Sequence, residues 1–219
     1  MKKLNSLRVK LTAFFLIPVT FIIIVGYTAY SIASSGTQET YESNAVTALQ
    51  QMANYYELTF SVVEGKTEQL SGLSELKNYY GGAYTDTEES RNALSEIYRS
   101  ARNLAQSDNI VGDMSILAYK QTSFSVANGN YLMFNYGGSS AAAEFDKTGD
   151  SSLLSASPNA GAWMGTRVFI DSYQGANAIE GTPYCAVYVE PFYDSLGEKL
   201  GYISTDIRLD TSLVALERI

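Results

Sequence analysis

Asp206 is the residue best placed to do chemistry. It lies in the otherwise apolar stretch Gly201-Tyr202-Ile203-Ser204-Thr205-Asp206-Ile207, and a carboxylate there needs a partner because an unpaired buried charge is costly. A cationic group on a ligand would supply one, and so would Arg208, Arg167 or backbone amides at the strand end. Trp163 is the single tryptophan. It either stacks on an aliphatic or cationic group or fills the core between sheet and helix. Period-two alternation puts Tyr184, Ala186, Tyr188 and Glu190 on one side of a strand and Cys185, Val187 and Val189 on the other. The second set reads as the core side. The tyrosines then face a pocket or solvent, and Tyr184, Tyr188 and Tyr202 line one face if their strands are neighbours. Asp171 and Tyr173 follow the strand that holds Trp163 and are expected at a pocket lip.

These residue types suit recognition better than catalysis. The chain has no histidine, which excludes a Ser-His-Asp triad, a Cys-His dyad and the usual histidine-based zinc sites. No glycosidase-like pair of carboxylates stands out. Cys185 is the only cysteine, so no intrachain disulfide forms, and it reads as a small buried apolar residue. No catalytic residue, metal or cofactor is expected, and the chain is not expected to be an enzyme. The formal net charge is −8. Lys2, Lys3, Arg8 and Lys10 are four of the 15 basic residues, so the remainder sets 11 basic against 23 acidic side chains. Such a surface is a poor nucleic-acid binder, because phosphate contacts need clustered Lys and Arg. The 17 tyrosines suit half-buried strands and pockets for small polar ligands.

The elements that must position these residues begin with a membrane segment. Residues 11–38 carry no charged side chain, and the ten before them carry four basic ones and no acid. Roughly 20 apolar residues span a bilayer core as a helix, so residues 11–33 are expected to cross it. The basic flank holds residues 1–10 in the cytoplasm and sends residues 34–219 outside. A cleaved signal peptide, ending at the small-residue site Ser31-Ile32-Ala33, is the competing reading. From residue 37 to about 80 the positions Tyr41, Ala45, Leu49, Met52, Tyr56, Phe60, Val63, Thr67 and Leu70 recur at helical spacing. Residues 34–80 are therefore expected to form one stalk helix and a pairing surface for a homodimer, with Gly81-Gly82 ending it. Thr85-Asp86-Thr87-Glu88 opens a second helix.

Two strand regions follow, one at residues 114–119 and one at 124–126 that turns at Asn128-Gly129-Asn130 into 131–134, with a looser helical stretch at 141–154. Further strands are expected at 162–169, 184–192 and 202–208. Asp194-Ser195-Leu196-Gly197-Glu198 forms a hairpin turn between the last two, and a final helix covers 213–219. The fold class is α+β: a transmembrane helix continuing into a long stalk helix, then a five-stranded antiparallel sheet flanked by helices.

Three stretches carry a family likeness: Ser6-Leu7-Arg8-Val9-Lys10-Leu11-Thr12 entering the span, Trp163-Met164-Gly165 opening the third strand, and the glycine-led last strand 201–207 with Leu209. In this order the chain resembles the PAS-like Cache sensor regions of bacterial chemoreceptors, closest to the double-Cache type of methyl-accepting chemotaxis proteins. The resemblance implies a membrane-distal Cache subdomain over residues 81–219. Its sheet would bind a small molecule (an amino acid, organic acid or amine) between the central strands and the loop over them. It also implies a second sheet, a returning span, a HAMP module and a signalling coil, none of which the sequence contains, so the chain reads as an N-terminal fragment. Amino-acid-binding members place an arginine two residues before the tryptophan and a tyrosine after it. Here those positions are Gly161 and Met164. Asp206 matches the family's last-strand aspartate, which pairs with a ligand ammonium. Other functions expected of such a chain are the input region of a sensor histidine kinase or diguanylate cyclase, and a membrane-anchored structural or adhesive module.

Overall fold

The computed structural model describes residues 2–107, 109–127, 130–134, 140–149, 151–155, 161–165, 169 and 186–207. The chain divides into two compact units, Met1–Asn54 and Tyr55–Ile219. Helix α1, Lys2–Ser71, supplies all of the first unit's described structure and enters the second.

In the first unit one helical segment is long and apolar enough to cross a membrane, with a mean hydropathy of 2.3 over its best window. Its threonines are accommodated locally. Thr12, Thr20, Thr28 and Thr37 each donate a hydroxyl to the carbonyl four residues back, at 2.8–2.9 Å. Each hydroxyl is thereby satisfied within the helix itself. Pro18 sits inside the helix, where it removes one backbone donor.

In the second unit α1 buries Thr59, Val63, Thr67 and Leu70, a stripe at steps of four and three. The stalk helix was expected to run unbroken to residue 80. It stops at Ser71, and α2, Ser74–Gly81, is a separate helix. Gly72 weakens the helix, and Leu73 leaves it with extended angles, φ −64 and ψ 129. The stop at the glycine pair is as expected. Gly82 takes the left-handed conformation with φ 79, and Ala83 N–H donates to the Asn78 carbonyl at 2.9 Å. Helix α3, Thr87–Gln106, starts at the expected cap, with Asp86 Oδ1 accepting from Glu88 N–H at 2.6 Å. It buries Ala93, Ile97, Ala101 and Ala105, one residue per turn.

The sheet is antiparallel throughout, in the order β3-β2-β1-β6-β5-β4. The strands are β1 Val111–Ala118, β2 Ser123–Ala127, β3 Asn130–Phe134, β4 Ala162–Met164, β5 Val187–Tyr193 and β6 Lys199–Ile207. The expected antiparallel sheet flanked by helices is present; among the described residues it has six strands where five were expected, the hairpin strand β3 standing at one edge. The helical excursion resolves into two short helices, α4 Ala141–Phe145 and α5 Ser151–Ser155. The expected helix at 213–219 lies outside the described residues, as do Cys185, Arg167 and Arg208.

Both faces of the sheet are covered. One core holds Val63, Leu70, Ile97, Met114, Ile116, Phe124, Phe192 and Ile203 under α1, α2 and α3. The other holds Leu117, Ala142, Phe145, Leu154, Met164, Val187, Val189 and Tyr202 under α4 and α5. Adjacent residues of β1 and β6 therefore serve opposite cores. This is why eight consecutive positions of β6, Leu200–Ile207, are all buried. The β5–β6 hairpin is closed by Asp194, whose Oδ1 accepts from Leu196 N–H and Glu198 N–H, both at 2.8 Å. Gly197 at φ 84 supplies the turn.

Candidate functional site

Cross-strand pairing decides which residues share a face. Trp163 is opposite Tyr188, and Tyr188 is opposite Thr205. All three point towards α1. Trp163 Nε1 donates to Glu64 Oε1 at 2.7 Å. Its ring lies 4.6 Å from Phe60 and 5.2 Å from Tyr188, centroid to centroid. Thr67 donates to the Val63 carbonyl at 2.9 Å, and its oxygen lies 2.7 Å from the Thr205 hydroxyl.

Met164, Val187 and Asp206 form the corresponding row on the other face. The sheet thus separates Trp163 and Tyr188 from Asp206. The expectation that Tyr188 and Tyr202 share a face is corrected: Tyr202 pairs with Pro191 and belongs to the core under α4, while Tyr188 belongs to the core under α1. The tyrosine side of β5 packs against α1 and is only partly buried: Ala186, Tyr188 and Glu190 each keep some exposure to solvent. Tyr184, Asp171 and Tyr173 lie outside the described residues.

The face bearing Asp206 carries a row of buried polar side chains. Ser115 on β1 is opposite Ser204 on β6 and opposite Ser125 on β2. The Ser115 and Ser125 hydroxyls lie 2.9 Å apart. Met114 is opposite Thr205, so Asp113 and Asp206 come next on the two neighbouring strands, where the register shifts. Asp113 is 2% exposed, Asp206 4% and Ser204 1%. Among the described residues the Ser204 hydroxyl is the one buried side-chain oxygen without a hydrogen-bond partner. Such a group costs about 1–3 kcal/mol and is a contact waiting to be made. Sequence reasoning singled out Asp206 and missed Asp113, Ser115 and Ser204. A signal was available. Asp113-Met114-Ser115 and Ser204-Thr205-Asp206 are mirror-image patterns, and two antiparallel central strands bring such patterns side by side.

Further along the same face, α4 delivers Asp146 to two tyrosines. Tyr119 donates to Asp146 Oδ2 at 2.5 Å, Tyr202 donates to Oδ1, and Lys199 Nζ donates to the Tyr202 oxygen at 2.6 Å. Burial, then the hydrogen bond to Asp146, push the Tyr119 and Tyr202 phenols above their ordinary range. Burial pulls Lys199 down, but Tyr202 and Asp146 outweigh it and hold its ammonium above the usual lysine value. Among the described residues no cluster of acids, cysteine or histidine is suited to a metal ion.

On the α1 face Glu190 is half buried. Burial raises its carboxyl pKa above the ordinary 4.5; Ser71, 3.1 Å away, pulls it down, and Glu68 pushes it up. The folded form therefore holds this proton more tightly than the unfolded form. Stability from this group is greatest at low pH and falls as pH rises from about 4.5 through the raised value. Glu190→Gln is expected to flatten that part of the profile in urea unfolding at stepped pH. An identical slope in the variant would contradict the assignment.

No family model matches the sequence, and no curated protein matches it. Solved structures do. The ligand-binding domain of the Campylobacter jejuni chemoreceptor Tlp3, in complex with L-norvaline, aligns at TM-score 0.55 and 13% identity, over 81% of this chain and 62% of that one. The extracellular domain assigned to the histidine kinase vpHK1S-Z8 aligns at TM-score 0.57 and 12% identity, over 79% and 60%. The chain has the fold of these sensory domains. It spans less than two thirds of the length of either.

Proposed function

We propose that this chain senses a small molecule outside the cytoplasm, as the membrane-anchored N-terminal part of a chemoreceptor. In this reading residues 1–10 are cytoplasmic, residues 11–33 cross the membrane, residues 34–80 lead to the sensor, and residues 81–219 hold the ligand. Two copies pair through the long helix. The observation that carries the proposal is the buried polar row Asp113, Ser115, Ser204 and Asp206 on a central pair of strands, with one hydroxyl still unpartnered. Two neighbouring acids with a pair of hydroxyls beside them suit a ligand bearing an ammonium group, an amine or amino acid. The fold of the Tlp3 domain, solved with L-norvaline, supports the class. Input to a histidine kinase is the second reading, favoured by the alignment with vpHK1S-Z8.

The test is a thermal-shift screen of the full chain in detergent micelles against amines, amino acids and organic acids. A ligand at 100 times its dissociation constant adds about 2.7 kcal/mol of stability. Asp206→Ala is expected to weaken an amine hit about tenfold to a hundredfold. Ser204→Ala should leave the unliganded fold at least as stable as before, since it removes a buried hydroxyl that has no partner to lose, yet reduce affinity. A folded protein that takes no cationic ligand, or one whose hit ignores both substitutions, overturns the proposal.

A further inference from the structure

The network around Asp146 borders a cleft of about 320 Å³ lined by Asp146, Leu154, Pro191, Lys199 and Tyr202. It lies on the same face as the Asp206 row but is built from other residues. Asp146 has both oxygens occupied by tyrosine hydroxyls, so its charge is already satisfied. Lys199 Nζ forms an ion pair with Asp146 Oδ1 at 3.7 Å, a distance at which it spends no N–H on that oxygen. Of its three N–H groups, one is spent on the Tyr202 oxygen. The ammonium is also held over two rings, 4.6 Å from the Tyr202 centroid and 5.3 Å from that of Tyr119. A lysine fixed by its neighbours, with donors left over and a side chain 35% exposed, is a pre-oriented anion receptor.

We propose that this cleft is a second binding site, and that it takes a short-chain aliphatic carboxylate. The carboxylate accepts from Lys199, and the aliphatic body lies against Leu154 and Pro191. The volume is at the small end for ligand pockets, which run from about 300 Å³ upward. It excludes large anions, and the single ammonium at its edge matches a single negative charge. The site does not depend on the sensor reading of the Asp206 row.

The experiment titrates acetate, propionate and butyrate into the full chain in micelles, with lysine Cε carbon-13 labelling and Lys199→Arg used to assign the Lys199 signal. A saturable shift of that signal, strongest with propionate or butyrate, is the expected result. Lys199→Gln is expected to weaken binding about tenfold to a hundredfold, Lys199→Arg to restore much of it, and Asp206→Ala to leave it unchanged. A Lys199 signal that does not move to saturation overturns the proposal without any variant. So does a folded Lys199→Gln protein that binds as tightly as wild type. Loss of carboxylate binding in Asp206→Ala would place the carboxylate in the Asp206 row, and would overturn the second site while sparing the first.

Discussion

Gly201→Ala is expected to cost about 4 kcal/mol or more, a large share of the roughly 5–15 kcal/mol that keeps a domain folded. A Cβ built at Gly201 falls 2.1 Å from the Leu117 carbonyl oxygen and 2.9 Å from Ala118 Cα. Both obstacles are backbone, so no rotamer change relieves the clash. Gly201 is opposite Ala118 on β1 and opposite Phe192 on β5. The strand has to move away from β1 to admit a methyl group, and β6 is the strand that joins both halves of the sheet. Urea unfolding of the two proteins checks this. A variant within about 1 kcal/mol of wild type would show that the strands do not approach so closely. Gly65→Ala is the control. Nothing lies within 4 Å of a Cβ there, and the exposed helix should gain about 0.5–1 kcal/mol.

Phe145→Ala is the second large effect. Phe145 is 2% exposed, and its ring lies 4.9 Å from that of Tyr202 and 5.2 Å from that of Phe169. Truncating such a ring costs about 3–5 kcal/mol, or about 6–20 °C in melting temperature for a unit of this size. The loss is not confined to packing. Helix α4 has five residues and is too short to persist on its own, so Phe145 is its anchor. Without it, Asp146 leaves the tyrosines. The Tyr119 and Tyr202 phenols, held high by burial and by Asp146, should then titrate closer to 10. An ultraviolet titration of tyrosinate reads this directly. A destabilised variant with both phenols still raised would mean that α4 stays docked by other contacts.

Much of the second unit's local structure was legible in the sequence because it is written in short-range chemistry. Asp86 caps α3, Gly82 ends α2, and Asp194 with Gly197 closes the hairpin. Each depends on a few neighbours in the chain. The break at Gly72 was visible only as a weak point, since a glycine lowers helix stability without dictating where the helix stops. The faces of the strands were harder. Alternation separates Tyr188 from Val187 correctly, but it does not say which side faces a helix. Here both sides do, so the apolar set of β5 is not the sole core side, and the tyrosine side is half packed against α1 while staying partly open to solvent. Trp163 and Asp206 both carry the family likeness, which implies a ligand site on the sheet for both. Their separation is a matter of register, fixed by Trp163 meeting Tyr188 and Val187 meeting Asp206, and register is long-range information.

Thr205 and Asp206 are chain neighbours that look in opposite directions. One meets Thr67 of α1 across 2.7 Å, and the other sits in the acidic row on the far side. A strand is a single sheet of peptide thickness, so it has no slack between its two surfaces. Whatever shifts the backbone at Asp206 shifts Thr205 with it, and an interior packed at crystal density passes such a movement on. The shortest mechanical route from the polar row to the long helix is therefore one peptide bond and one hydroxyl pair.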